Sequence, residues 1–149
     1  VARRAFGDAI DLDAVTLRRE KWWWLQPAWA VMAPDGHIWF HPNHRAWHDD
    51  FSTASLFLQG LLVHELVHVW QHQQGVNLIV RRGIWARYDY LPMKPGRPFT
   101  DYGIEQQAEM VRDAYVKRMG GTVAGTPALA VYDAILPFRP DRADGAAVA

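Results

Sequence analysis

The chain has 149 residues, enough to bury one proper core, and half of them are hydrophobic with 13% aromatic, the composition of a folded globule. Sixteen basic and sixteen acidic side chains cancel, which argues against nucleic acid as a partner, since its binders carry a basic excess or stripe. Cysteine is absent, so disulfides and Cys-ligated zinc fingers are excluded, and any metal site must be built from histidine, carboxylate and water.

In chain order, ARRAFGDAIDLDAV reads as a short helix and a turn, with Phe6 and Ile10 as its buried pair. These first residues lack the apolar stretch of a signal peptide, and no later run is long enough for a membrane span. AVTLRRE has the alternation of a strand, Val15 and Leu17 facing one way. Three consecutive tryptophans in KWWWLQPAW cannot all face the core of a strand. At least one is exposed or covered by a partner, and the cluster is expected to pack under the irregular segment LPMKPGRP. AWAVMAPDGHIWFHP is the clearest hairpin, two apolar runs joined through Pro34, Asp35 and Gly36.

A long helix follows, capped by Ser52 or Thr53 and ending at Gly75. After the Pro/Gly-rich connection a second long helix runs from about residue 103 to 119, with Asp101 as its N-cap and Gly120-Gly121 as its stop. PALAVYDAIL forms a last short helix, and residues 140–149 are expected to fray. The whole chain, 1–149, reads as a single domain without internal repeats.

The chemistry is concentrated in LLVHELVHVWQHQQG. His64-Glu65-x-x-His68 on a helix places two imidazoles one turn apart on one face, the spacing at which both reach one ion. Glu65 falls beside that ion, where it can take a proton from an activated water. The chain has four glutamates, and two of them, Glu105 and Glu109, stand four apart on the second helix. Glu105 is the expected third metal ligand, and Glu109 the acceptor for the outer N–H of a ligating imidazole. The fourth position is left to water, as in a catalytic zinc site.

Plainer readings stand beside this one. The motif could be a core histidine with a buried ion pair, and Glu105 and Glu109 a solvated face paired with Arg112. His72 continues the stripe of His68 and could replace Glu105, although an exposed helix-end histidine is the commoner case. His37, His41, His44 and His48 read as surface or structural side chains.

HELVHVWQHQ followed by YGIEQQAEMVRDAY resembles bacterial proteins described as Vgr-related or Rhs-related secretion proteins. Together with AFGDAIDLDAVTL and APDGHIWFHP, it is also similar to the metallopeptidase-like domain at the core of extracellular contractile injection systems. The resemblance covers roughly residues 3 to 118 and implies a minimal zincin-like fold of the gluzincin clan. It carries His64, His68 and Glu105 over as ligands of one zinc per chain, Glu65 as base and Glu109 as outer acid. No position matches the clan's helper for the carbonyl oxygen; Tyr88, Tyr90 and Tyr102 are the candidates to stabilise an oxyanion.

The expected fold is α+β, a small, mostly antiparallel sheet packed on two long helices that meet at the zinc. Residues 29–41 supply an edge strand above the site, to which an extended peptide could add. The expected activity is zinc-dependent hydrolysis of peptide bonds in a peptide or protein substrate. The alternative is a catalytically inactive, metal-stabilised assembly or cargo domain whose partner is a secretion-system protein. A bacterial cytoplasmic location and export through a specialised secretion system both fit the sequence.

Overall fold

Residues 1–82 and 87–139 are described by a computed structural model. The tail at 140–149 that the sequence marks as frayed lies outside them. The elements run α1 (Ala2–Phe6), β1 (Leu17–Arg18), β2 (Val31–Met32), β3 (Ile38–Phe40), α2 (Leu56–Gln73), α3 (Leu78–Arg82), a 3-10 turn at Phe99–Asp101, α4 (Ile104–Arg118) and α5 (Leu129–Asp133). Helices and a small three-stranded sheet give a mixed α+β architecture.

Helix α2 forms the centre. From Leu62 to Val69 every residue is buried, so the helix is enclosed on all sides, as its nearly unbroken apolar sequence dictates. Its start lies later than Ser52 or Thr53. The Asp50 side chain and carbonyl take the Ser52 N–H (2.8 Å) and the Thr53 hydroxyl (2.9 Å), making a separate turn, and Ser55 caps the helix through the Leu58 N–H. At the other end Gly75 adopts φ +81° and the Val76 N–H reaches back to the Gln71 carbonyl at 3.0 Å, closing the helix as expected of a glycine stop.

Helix α4 packs along α2. Gly60 permits the close approach: a Cβ there would stand 3.3 Å from both Arg112 Cγ and Val116 Cγ2 of α4. The N-cap of α4 is Gly103, whose N–H is accepted by Gln106 Oε1 at 3.0 Å; Asp101 belongs instead to the preceding 3-10 turn. Phe6 of α1 meets Phe138 (5.0 Å between centroids), which also meets Trp70 of α2 (5.4 Å), so both ends of the described chain close on the central helix.

The sheet departs from the expected, mostly antiparallel one. Its order is β1-β3-β2, with β2 and β3 antiparallel through the anticipated hairpin but β1 parallel to β3. The reason lies in the twelve residues between β1 and β2, which are numerous enough to carry the chain past the central strand to the far edge. Leu17 in β1 is exposed, while Val15 packs on the core.

That crossing segment holds the tryptophans. They do not pack under LPMKPGRP; Trp22, Trp23 and Trp29 line an open cleft beside β2, and Trp24 is 78% exposed. The segment is organised around the buried Gln26 amide, which accepts the Trp22 N–H (2.8 Å) and donates to the carbonyls of Ala30 (2.9 Å) and Trp39 (3.1 Å). One side chain thus anchors the crossing to β3. Replacing Gln26 with Leu strands three backbone groups, so equilibrium urea unfolding should show a loss of about 1–3 kcal/mol. An unchanged midpoint would mean water takes over these bonds.

Candidate metal centre

Helix α2 presents His64 and His68 on the face turned towards α4, and both Nε2 atoms stand 3.2 Å from one oxygen, Glu105 Oε2. The three side chains are 7%, 8% and 2% exposed, and their ligand atoms lie within 4.8 Å of one another, a group able to hold a metal ion. Glu105 sits in the first turn of α4, where the unsatisfied N–H groups and the helix dipole favour a carboxylate.

The outer nitrogens decide what the inner ones can do. His64 Nδ1 is 2.9 Å from Glu109 Oε1, and His68 Nδ1 is 2.9 Å from Gln71 Oε1. The Gln71 amide cannot be turned round. Its nitrogen donates to the Ile104 carbonyl (3.1 Å) and to Gln107 Oε1 (2.9 Å), and the Gln107 nitrogen is committed to the carbonyls of Phe99 (3.3 Å) and Tyr102 (2.9 Å). Both Nδ1 atoms therefore face acceptors and carry the ring proton. With that tautomer each ring turns a bare Nε2 lone pair to a carboxylate oxygen, an arrangement that a metal ion or an added proton would relieve.

The added proton has a visible effect when no metal is bound. Burial lowers the His64 pKa, but the hydrogen bonds to Glu105 and Glu109 outweigh it and raise it from 6.5 to about 9. A histidine raised in the folded state contributes stability that is complete below pH 6.5 and lost as the pH climbs through about 9. Chelator-treated protein should accordingly melt at lower temperature above pH 9 than near pH 6.5, as read by calorimetry. A flat profile across that window would remove the protonated His64 from the metal-free state.

Glu109 also pairs through its other oxygen with Arg112 Nη2 at 2.6 Å, so the expected outer contact to histidine and the plainer pairing with Arg112 coexist on one carboxylate. Glu65 is buried yet lines the cleft, and no hydrogen bond among the described residues ties its carboxylate. His72 is exposed, its ring against the Gly36 turn, and stands outside the group. Of the earlier histidines, His44 alone reaches the cleft, its Nε2 bonding the Trp29 carbonyl at 3.0 Å.

The cleft measures about 1030 Å³ and is walled by the tryptophan segment and β2 on one side and by α2, α3 and α4 on the other. Of the three tyrosines, Tyr88 lines it and lies parallel to the His64 ring, centroids 6.2 Å apart. Tyr90 and Tyr102 are buried and do not line it. The Tyr90 hydroxyl is spent on Asp113 Oδ2 and the Tyr132 hydroxyl, both at 2.5 Å, and burial together with the Asp113 bond pushes its pKa well up. Sequence reasoning missed Gln71, although a glutamine three residues after a ligating histidine is the signal that could have found it. It also missed Asp113, for which no local pattern exists.

No family model matches the chain. Over 125 residues, 79% of its length, the chain is 40% identical to the type VI secretion system spike protein VgrG2b of Pseudomonas aeruginosa, and it spans 12% of that protein. The solved effector domain of Pseudomonas aeruginosa VgrG2b has a similar structure, with a TM-score of 0.70 at 40% identity, covering 79% of this chain and 69% of that one.

Proposed function

The chain belongs to the family of the VgrG2b effector domain, and from that premise we propose that it is a type VI secretion effector domain acting as a zinc-dependent peptidase. In this reading the fold is zincin-like with a gluzincin-type ligand set, and the whole of 1–149 is one domain. His64, His68 and Glu105 hold the ion. The observation that carries the reading is the convergence of two imidazole Nε2 atoms on one carboxylate oxygen, with the outer nitrogen of each ring already held by a partner. The residues fit a catalytic zinc: two imidazoles and a carboxylate, opening on a cleft that leaves room for water.

Zinc bound there supplies a Lewis acid for a scissile carbonyl and acidifies a water. Glu65, adjacent to His64 and facing the cleft, accepts that water's proton and later delivers it to the leaving amine. Tyr88 is the candidate to steady the oxyanion, being the tyrosine of the three that borders the cleft. Strand β2 lies at the sheet edge along the cleft, suited to an extended substrate strand, and the Trp22, Trp23, Trp29, Leu61 and Leu78 walls suit apolar side chains. Among the described residues no helix is long and apolar enough to cross a membrane.

A second reading makes the fold a metal-stabilised docking domain of the secretion apparatus without catalysis. Trp24, Trp29 and Phe57, 78%, 80% and 79% exposed, favour it as an adhesive surface. Metal analysis and a peptide-cleavage screen separate the two. The peptidase reading expects one zinc per chain and cleavage that Glu65→Gln abolishes with zinc and fold retained, whereas Glu105→Ala lowers zinc content and melting temperature together. Protein prepared without chelator that holds no zinc would sink both readings; zinc without cleavage leaves the docking domain.

A further inference from the structure

Beyond Glu109, a polar chain continues to residues that touch no proposed metal ligand. Arg112 Nη2 bonds Glu109 Oε2 at 2.6 Å, and Arg112 Nη2 and Nε both bond Asp113 Oδ1, at 3.0 and 3.1 Å. Asp113 Oδ2 accepts the Tyr90 hydroxyl at 2.5 Å, which in turn meets the Tyr132 hydroxyl of α5 at 2.5 Å. Asp113 is 2% exposed and Tyr132 fully buried, so the far end of this chain is rigidly packed. The stem of Arg112 lies against Gly60 of α2, where a Cβ would come within 3.3 Å of its Cγ.

Glu109 by itself is a long carboxylate at the border of the cleft with several rotamers open to it. One oxygen must stay on His64 Nδ1 for that ring to hold its tautomer and its direction. What fixes the carboxylate is the guanidinium on its other oxygen, and what fixes the guanidinium is a buried aspartate with both oxygens occupied. An arginine can do this because its planar fork spans two acceptors at once; an ammonium acts as a single point of charge.

We infer that Arg112 is a positioning residue of the metal centre, clamping Glu109 onto His64 and drawing its own rigidity from Asp113, Tyr90 and Tyr132. The inference rests on the metal reading above. Its consequence is that metal affinity depends on α5 and on the segment around Tyr90, neither of which supplies a ligand.

The test measures zinc affinity by chelator competition, and the visible spectrum of the cobalt-substituted protein, which reports ligand geometry. Arg112→Met should weaken zinc on the order of 10–100-fold and alter the cobalt spectrum, as loss of an outer-sphere partner does. Arg112→Lys should restore only part of the affinity. The double change with Glu109→Gln should be no weaker than Glu109→Gln alone, because both act through one contact. Arg3→Met, which breaks the exposed Arg3–Asp8 pair near α1, should leave affinity and spectrum unchanged. Tyr90→Phe gives a milder loss and serves if Arg112→Met does not fold. Wild-type affinity in both Arg112 variants, or additive losses in the double variant, overturns the clamp while leaving the metal reading intact. A wild-type protein that binds neither zinc nor cobalt overturns both.

Discussion

Both imidazole Nε2 atoms meet one carboxylate oxygen at 3.2 Å in a buried seam, a meeting that positive charge between them would favour. That constraint sits on the contact between α2 and α4, the most extensive pairing of elements among the described residues. The helices are brought together by ordinary means, a run of buried apolar side chains and a glycine at the crossing. The same closeness compresses an electrostatic conflict into the core. Whatever cation relieves it therefore also secures the two helices, so local chemistry and global packing share one seam.

The two rings are supported differently. His64 leans on a carboxylate that is itself clamped by arginine, and His68 on a neutral amide locked by the Ile104 carbonyl and the Gln107 side-chain oxygen. An anionic acceptor raises the basicity of its imidazole, and an amide fixes the direction of its ring through the hydrogen bond. The centre thus combines one ring held by a clamped carboxylate with one held by a locked amide.

The sequence made legible those features that repeat locally. Helical spacing identified the two histidines and the Glu105/Glu109 pair, Gly75 and Gly120 marked helix ends, and Asp35-Gly36 marked the hairpin. Features set by competition were not legible. Ser52 and Thr53 look like caps until Asp50 claims both, and Asp101 looks like one until the 3-10 turn absorbs it. Strand order was hidden because nothing in residues 19–30 announces that they pass β3, and the placement of the tryptophans was lost with it. Gln71, Arg112 and Asp113 acquire their roles only once α2, α4 and α5 are assembled, and no single helix encodes that.

The crossing between β1 and β2 has a consequence for how such a domain can diversify. It forms one wall of the cleft yet contributes no member of the candidate metal group, and it is held by Gln26 on the Trp39 carbonyl, by His44 on the Trp29 carbonyl and by Arg19 on the Pro42 carbonyl. It is therefore separate in sequence from the residues of the α2–α4 seam. A chain with a different crossing would present a different cleft wall beside the same buried seam.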